Sequence, residues 1–149
     1  MPTTFKPLFG TNNQTITIVG NSLANASSVF SSAIDNSSNL YVDVLVAGSF
    51  AAAAASVSAT GTISIIVAAS SDGGSNYTSR TQDCKVLAVL DCSANSATPR
   101  LDPVSVASVY GGHLPQFFKI GIINNSGTAL NAAGNNSTMY YQGVNDQGV

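Results

Sequence analysis

Short apolar segments separated by clusters of turn-forming residues are the pattern that most restricts the fold of this chain. Residues Thr62–Ala69, Cys84–Leu90 and Phe117–Ile123 are rich in Val, Ile and Phe, which favour strands. Gly, Asn, Ser and Pro accumulate between them, as in residues 71–76 and 111–115. No long segment has a convincing helical period. The 149 residues therefore predict one all-β domain, an antiparallel β-sandwich of jelly-roll-like type.

Weaker strand signals occur elsewhere in the chain. Residues Leu40–Val46 alternate, which predicts a strand with Leu40, Val42, Val44 and Val46 on one face. The run Ala51–Ala55 fits a loop or a packed strand as well as one helical turn. Further strands are predicted at Thr15–Val19, Val104–Tyr110 and Thr138–Gln142, with a weak one around Ser28–Ala33 in the otherwise irregular residues 21–39.

The predicted sandwich covers residues 15–142 and lies between extended termini. Residues 1–14 contain Pro2 and Pro7, which resist helix formation and favour an extended arm. Residues 143–149 are interpreted as a free or partner-bound C-terminal tail. The arm carries the candidate partner-binding residues Phe5, Leu8 and Phe9, because exposing an apolar side chain costs roughly 1.5–3 kcal/mol relative to burial.

The low charge of the chain excludes two classes of partner. Charged residues make up 8%, all seven acids are Asp, and five basic residues leave a net charge of −2. So few cations exclude the basic footprint of a nucleic-acid-binding protein and a polybasic membrane patch. A surface made polar mainly by Ser, Thr, Asn and Gln carries little self-repulsion, which favours packing against copies of the same chain or other proteins.

Residues that could carry chemistry do not form a recognisable motif. His113 is the only histidine, and the glycine pairs are not followed by the Lys and Ser or Thr of a phosphate loop. Asp72 with the two glycines after it is typical of a turn. Cys84 and Cys92 flank one apolar segment, so we expect two reduced thiols. The sequence therefore predicts no enzyme: no catalytic residue, no metal site and no cofactor.

Two apolar segments have a further implication. Thr62–Ala69 and Cys84–Leu90 are almost continuously apolar, so both faces of these strands need cover. In a small sandwich the outer face would then be covered by another chain. Four tyrosines either pack in the core or an interface, or form a sugar-binding surface, because aromatic rings can stack on sugars. The candidates for this role are Tyr77, Tyr110, Tyr140 and Tyr141.

Three stretches, taken in order, carry a family resemblance. They are residues 69–78 around Asp72, residues 104–115 ending in Gly111-Gly112-His113-Leu114-Pro115, and residues 119–130 continuing to Tyr140–Val144. The chain resembles small β-rich structural proteins of tailed bacteriophages over about residues 40–149. The resemblance implies a component of the virion, assembled in the cytoplasm of the host bacterium.

Three functions are compatible with the sequence and with this resemblance. The first is a non-catalytic capsid decoration (cement) protein that binds across subunits of the major capsid protein, with copies of itself as further partners. The second is a neck, tail or baseplate accessory protein. A host-glycan-binding module is the alternative from another class. The number of copies per particle separates the first two, and saturable sugar binding identifies the third.

Overall fold

The computed structural model describes residues 5–50, 57–78, 80–95, 98–131 and 137–148. The run Ala51–Ala55 lies outside the described residues. Two short 3-10 helices, Thr81–Asp83 and Ala107–Tyr110, accompany the strands. The strands are β1 (Phe5–Phe9), β2 (Gln14–Ile16), β3 (Ser27–Phe30), β4 (Ile34–Asp35), β5 (Asp43–Phe50), β6 (Thr62–Ser70), β7 (Lys85–Asp91), β8 (Arg100–Ser105), β9 (Phe117–Asn125) and β10 (Ser137–Gly148).

The strands form two antiparallel sheets, which confirms the predicted fold class. Sheet A has the order β1-β10-β5-β8, with β2 also paired to β10. Sheet B has the order β3-β9-β6-β7, with β4 also paired to β9. Because β1 and β2 pair with successive parts of one strand, they act as a single interrupted edge strand, and β3 and β4 do the same. Most connections cross from one sheet to the other, as in a jelly roll.

The core lies between the sheets and is built by alternation along the strands. Val44, Val46 and Phe50 of β5 point inward and are fully buried. They meet the inward residues of β6 and β9, and their burial supplies the main driving force for folding. The fully buried residues of these two strands that belong to this cluster are Ile63, Ile65, Val67, Phe118, Ile120 and Ile122.

The strand predicted at Leu40–Val46 begins later, at Asp43. Leu40 has a φ of 52° and is 70% exposed, and Val42 is exposed as well. The Asn36 side chain explains the difference, because its amide bonds both main-chain groups of Tyr41. Asn36 Nδ2 donates to the Tyr41 carbonyl at 2.9 Å, and Tyr41 N donates to Asn36 Oδ1 at 2.8 Å. A turn held by a side chain therefore replaces the first half of the predicted strand.

The prediction of a strand at Val104–Tyr110 was wrong after Ser105. Strand β8 ends at Ser105, and a 3-10 helix follows at Ala107–Tyr110. Asp43 Oδ1 accepts hydrogen bonds from the main-chain N–H groups of Val44 at 2.7 Å and Ala107 at 2.9 Å. One carboxylate thus ties the start of β5 to the start of this helix, a contact that apolar alternation does not reveal.

The two termini pair with each other. Strand β10 continues to Gly148, so residues 143–148 are strand where a free or partner-bound tail was predicted. Their partner is β1, with register pairs running from Phe5 with Gly148 to Phe9 with Val144. The pairing continues beyond β1, because Gly10 N donates to the Gly143 carbonyl at 2.8 Å. Residues 143–148 have no apolar face, and main-chain hydrogen bonds hold them in the sheet.

Candidate functional site

The candidate arm residues lie on the edge strand of sheet A. Leu8 pairs with Asn145 and Phe9 with Val144, so the arm is extended but docked on its own chain. Their side chains remain 49% and 54% exposed. For Phe5 the structure describes only the backbone. The arm therefore presents Leu8 and Phe9 at the surface, while its main-chain groups form hydrogen bonds with β10 on one side.

Leu40 and Val42 extend this exposed apolar region. Val42 N donates to the Val144 carbonyl at 2.9 Å, which places it beside the residue that pairs with Phe9. Leu40 is the next exposed apolar residue before Val42. We call Leu8, Phe9, Leu40 and Val42 the terminal patch. Leu8 and Phe9 lie at the edge of sheet A, where strand β1 has pairing groups that no described strand uses, and they point to opposite faces because side chains alternate along a strand. Leu40 and Val42 lie on the other side of β10, just before β5, so the patch surrounds the end of β10.

Tyr41 holds the chain beneath the terminal patch. Its ring lies against Gly143 of β10, where a Cβ atom would overlap the ring. The Tyr41 hydroxyl also lies 3.2 Å from the position that a Cβ on Gly10 would take. Two glycines thus make room for one aromatic ring, which fixes the strand that carries the patch.

Sheet B has a second candidate site on its outer face, a cavity of about 310 Å³. Phe30 of β3 and Tyr77 form aromatic walls, and Lys119 of β9 enters from the sheet. The lining is completed by Ala68, Ser75, Asn76 and Thr78. Lys119 Nζ lies 4.3 Å from the centre of the Tyr77 ring, a cation–π contact.

An apolar cluster on the outer side of sheet B shares Ala68, Phe30 and Tyr77 with this cavity. Ile66 is fully buried there, beside Ala68 and Cys84. Phe30 packs against the backbone of Gly121, where a Cβ would lie 2.7 Å from the ring. The sequence predicted that another chain covers this face. For Ile66 and Ala68 that prediction was wrong, because the chain covers them itself with Phe30, Tyr77 and Ile123.

Asp72 organises the loop that supplies Tyr77. Its Oδ1 accepts hydrogen bonds from Ser70 Oγ at 2.7 Å and from Asn76 N at 2.8 Å, and its Oδ2 from Asn76 Nδ2 at 2.6 Å. These bonds stabilise the carboxylate and lower the pKa of Asp72 to about 2, with the Asn76 main-chain bond as the largest cause. The loop is thus held in shape by an ionised side chain.

The four tyrosines named as candidate sugar contacts are not brought together. Tyr77 lines the cavity on sheet B, whereas Tyr140 and Tyr141 line a smaller one beside Pro103 on sheet A. The Tyr110 hydroxyl donates to the Val67 carbonyl at 3.2 Å, and burial raises the pKa of this tyrosine. Tyr77 is the candidate that lies in a cavity together with a cation, Lys119.

The remaining reactive side chains are isolated or buried. His113 is exposed in the connection before β9. Cys84 and Cys92 are free, as predicted, and they lie buried at opposite ends of β7, where burial raises the pKa of both thiols. Within the described ranges, no three His, Cys, Asp or Glu side chains are grouped as metal ligands.

Comparison with known proteins identifies no relative from which the function of either site could be inferred. No family model, curated protein or solved structure matches the chain. Of the helices in the described part of the chain, none has the length and apolar character needed to cross a bilayer.

The sequence named Leu8 and Phe9 of the terminal patch and Tyr77 of the cavity on sheet B. Apolar residues on a proline-containing segment pointed to Leu8 and Phe9. Lys119 was missed as a site residue, because its contact with Tyr77 depends on the folding of residues 71–78 over β9. A single lysine inside the apolar segment Phe117–Ile123 was the available signal.

Proposed function

We propose that this chain is a non-catalytic structural protein of a tailed-bacteriophage virion, in the first place a capsid decoration (cement) protein. It would bind across subunits of the major capsid protein and contact copies of itself. The observation that carries the proposal is the terminal patch, which combines exposed apolar side chains with an open strand edge. The resemblance of residues 40–149 and the scarcity of charge support the same function.

The terminal patch has the chemistry of a protein-binding surface. Leu8 and Phe9 are about half exposed. Burying such side chains contributes roughly 1.5–3 kcal/mol each when they are fully exposed beforehand, so each would contribute less than that here. The free edge of β1 can add main-chain hydrogen bonds to a strand of the partner. Weak contacts of this kind become effective when many copies repeat them over a shell.

Because Leu8 and Phe9 lie on a paired strand, the test of the proposal has to change their side chains and keep the strand. Deleting residues 2–10 would remove β1 and expose the paired edge of β10, so the isolated protein would lose stability as well. The double substitution Leu8→Ser with Phe9→Ser leaves the main-chain pairing in place. Val86 and Val89 are 54% and 59% exposed on β7, and the double substitution Val86→Ser with Val89→Ser is the matched control.

The test is quantitative mass spectrometry of purified particles produced with each variant. We expect Leu8→Ser with Phe9→Ser to reduce the number of copies per particle at least about tenfold, which corresponds to about 1.4 kcal/mol. The β7 control should assemble normally, and both variants should keep the melting temperature of the parent within a few degrees. Unchanged occupancy of the patch variant, or an equal loss in the control, would contradict the proposal.

The same measurement separates the decoration protein from its runner-up. Copies in the hundreds support a capsid decoration protein. A few to a few dozen copies indicate a neck, tail or baseplate accessory protein, for which the terminal patch would serve as the docking surface in the same way.

A further inference from the structure

The cavity on sheet B contains one cation, the Lys119 ammonium group, among its lining residues. Within the described part of the chain, Lys119 contacts the ring of Tyr77 and forms no ion pair. Asp72, in the adjacent loop, has both carboxylate oxygens engaged by Ser70 and Asn76. An ammonium group held on an aromatic face and free of carboxylates can accept an anion from outside.

The other lining residues fit a ligand that carries a ring and hydroxyl groups in addition to an anionic group. Phe30 presents an aromatic wall, against which an apolar ring face can pack. Ser75 and Thr78, whose side chains carry hydroxyl groups, line the same cavity. A volume of about 310 Å³ accommodates one ring-sized ligand and lies at the small end of ligand cavities.

The cavity is also ordered before any ligand arrives. The Asp72 carboxylate holds Asn76, and Thr78 N donates to the Ala69 carbonyl at 3.3 Å. The segment between them carries Tyr77, so its ring is fixed over Lys119. A preformed wall lowers the entropy lost on binding.

We infer that this cavity binds an acidic monosaccharide unit, with the sugar carboxylate at Lys119, the ring against Phe30 and its hydroxyl groups at Ser75 and Thr78. A single cation matches one carboxylate, whereas phosphate sites usually combine several donors or cations. The apolar wall adds a contact that a simple inorganic anion cannot use. The inference does not depend on the role of the terminal patch and would add glycan recognition to a structural protein.

The test is titration of the full-length protein with D-glucuronate, followed by NMR chemical shifts of the amides of residues 75–78. D-glucose has the same ring and hydroxyl groups without the carboxylate, and acetate has the carboxylate without the ring. We expect glucuronate to bind at least about tenfold more tightly than either, and to weaken as the salt concentration rises. Glucose or acetate binding as tightly as glucuronate would overturn the inference, as would the absence of glucuronate binding.

Matched variants locate the site. Lys119→Met keeps most of the apolar stem and removes the charge, so it should abolish the preference for glucuronate over glucose. Lys85→Met removes an exposed lysine from β7 of the same sheet and should leave that preference unchanged. Equal melting temperatures of the two variants show that both are folded. A preference that survives in Lys119→Met places the binding elsewhere and contradicts the inference.

Discussion

The outer face of sheet B and the end of sheet A around β1 both carry apolar side chains, yet the chain covers them to different extents. On sheet B, Phe30 and Tyr77 close over Ile66, which is fully buried. At the end of sheet A, Leu8 and Phe9 remain about half exposed. Both regions place an aromatic ring over a strand glycine, Phe30 over Gly121 and Tyr41 over Gly143.

The difference between the two regions comes from their loops. Sheet B receives the loop of residues 71–78, shaped by Asp72, which brings Tyr77 back over the strands. The terminal patch receives no comparable loop from the described part of the chain. Apolar residues on an outer face therefore do not by themselves indicate a partner, and the informative observation is whether the chain folds back over them.

The largest expected effect tests whether sheet B is covered. Ile66→Ala should lower the free energy of unfolding by about 2–5 kcal/mol, as in a true core, because Ile66 is fully buried. Val89→Ala on the exposed side of β7 should change it by about 0.5 kcal/mol or less. Denaturant unfolding of the two variants measures both values. Similar losses would mean that the outer cluster is not a core and that the contrast with the terminal patch is false.

A smaller effect is expected beneath the terminal patch. Gly143→Ala places a Cβ in the ring of Tyr41 and should lower the free energy of unfolding by about 1–3 kcal/mol. In a Tyr41→Ala background the overlap is absent, so the same glycine substitution should have little effect. The four-protein cycle is measured by denaturant unfolding. Additive losses would show that Tyr41 does not hold β10 at this point.

The smallest effect concerns the loop over sheet B and depends on pH. The pKa of Asp72 in the folded protein is about 2, below its ordinary value of 3.8. The ionised group therefore stabilises the folded loop above about pH 4, and this contribution is lost as the pH falls through about 2. NMR shifts of the Gly74 and Asn76 amides should follow this titration.

The control for this titration is Asp72→Asn, which removes the ionisable group. The shift changes at Gly74 and Asn76 should then disappear, while Asp102→Asn on β8 of the other sheet should leave them intact. A midpoint near 4 in the parent protein would show that the hydrogen bonds to Asp72 do not form in solution.

The sequence predicted the strands whose apolar pattern is strong, and it missed elements held by polar contacts. Strands β6 and β9 lie close to their predicted bounds because most of their residues are buried. Strand β7 also lies close to its predicted bounds, although Leu87 is its one buried residue. The last six residues of β10 have a polar pattern and depend on pairing with β1. The turn at Asn36 depends on hydrogen bonds between its side chain and the main chain of Tyr41. The 3-10 helix at Ala107–Tyr110 depends on a hydrogen bond to the side chain of Asp43, which is distant in the sequence.

The residues of the candidate sites show the same difference between local sequence patterns and long-range contacts. Leu8 and Phe9 were found because their apolar character on an extended segment is a local property of the sequence. The pairing of Lys119 with Tyr77 was not found, because it requires the antiparallel register of β6 and β9, which places Ala68 beside Lys119, and the return of the loop that follows. Local patterns carry the first kind of information and not the second.

The position of β10 has a consequence for the rate and order of folding. This strand follows all the others along the chain, yet it lies in the middle of sheet A between β5 and the pair β1 and β2. Sheet A can therefore close only after residues 137–148 have left the ribosome, and closure joins segments separated by almost the whole chain. Until then β5 has a free edge, which makes the nascent chain dependent on fast completion or on chaperones to avoid aggregation.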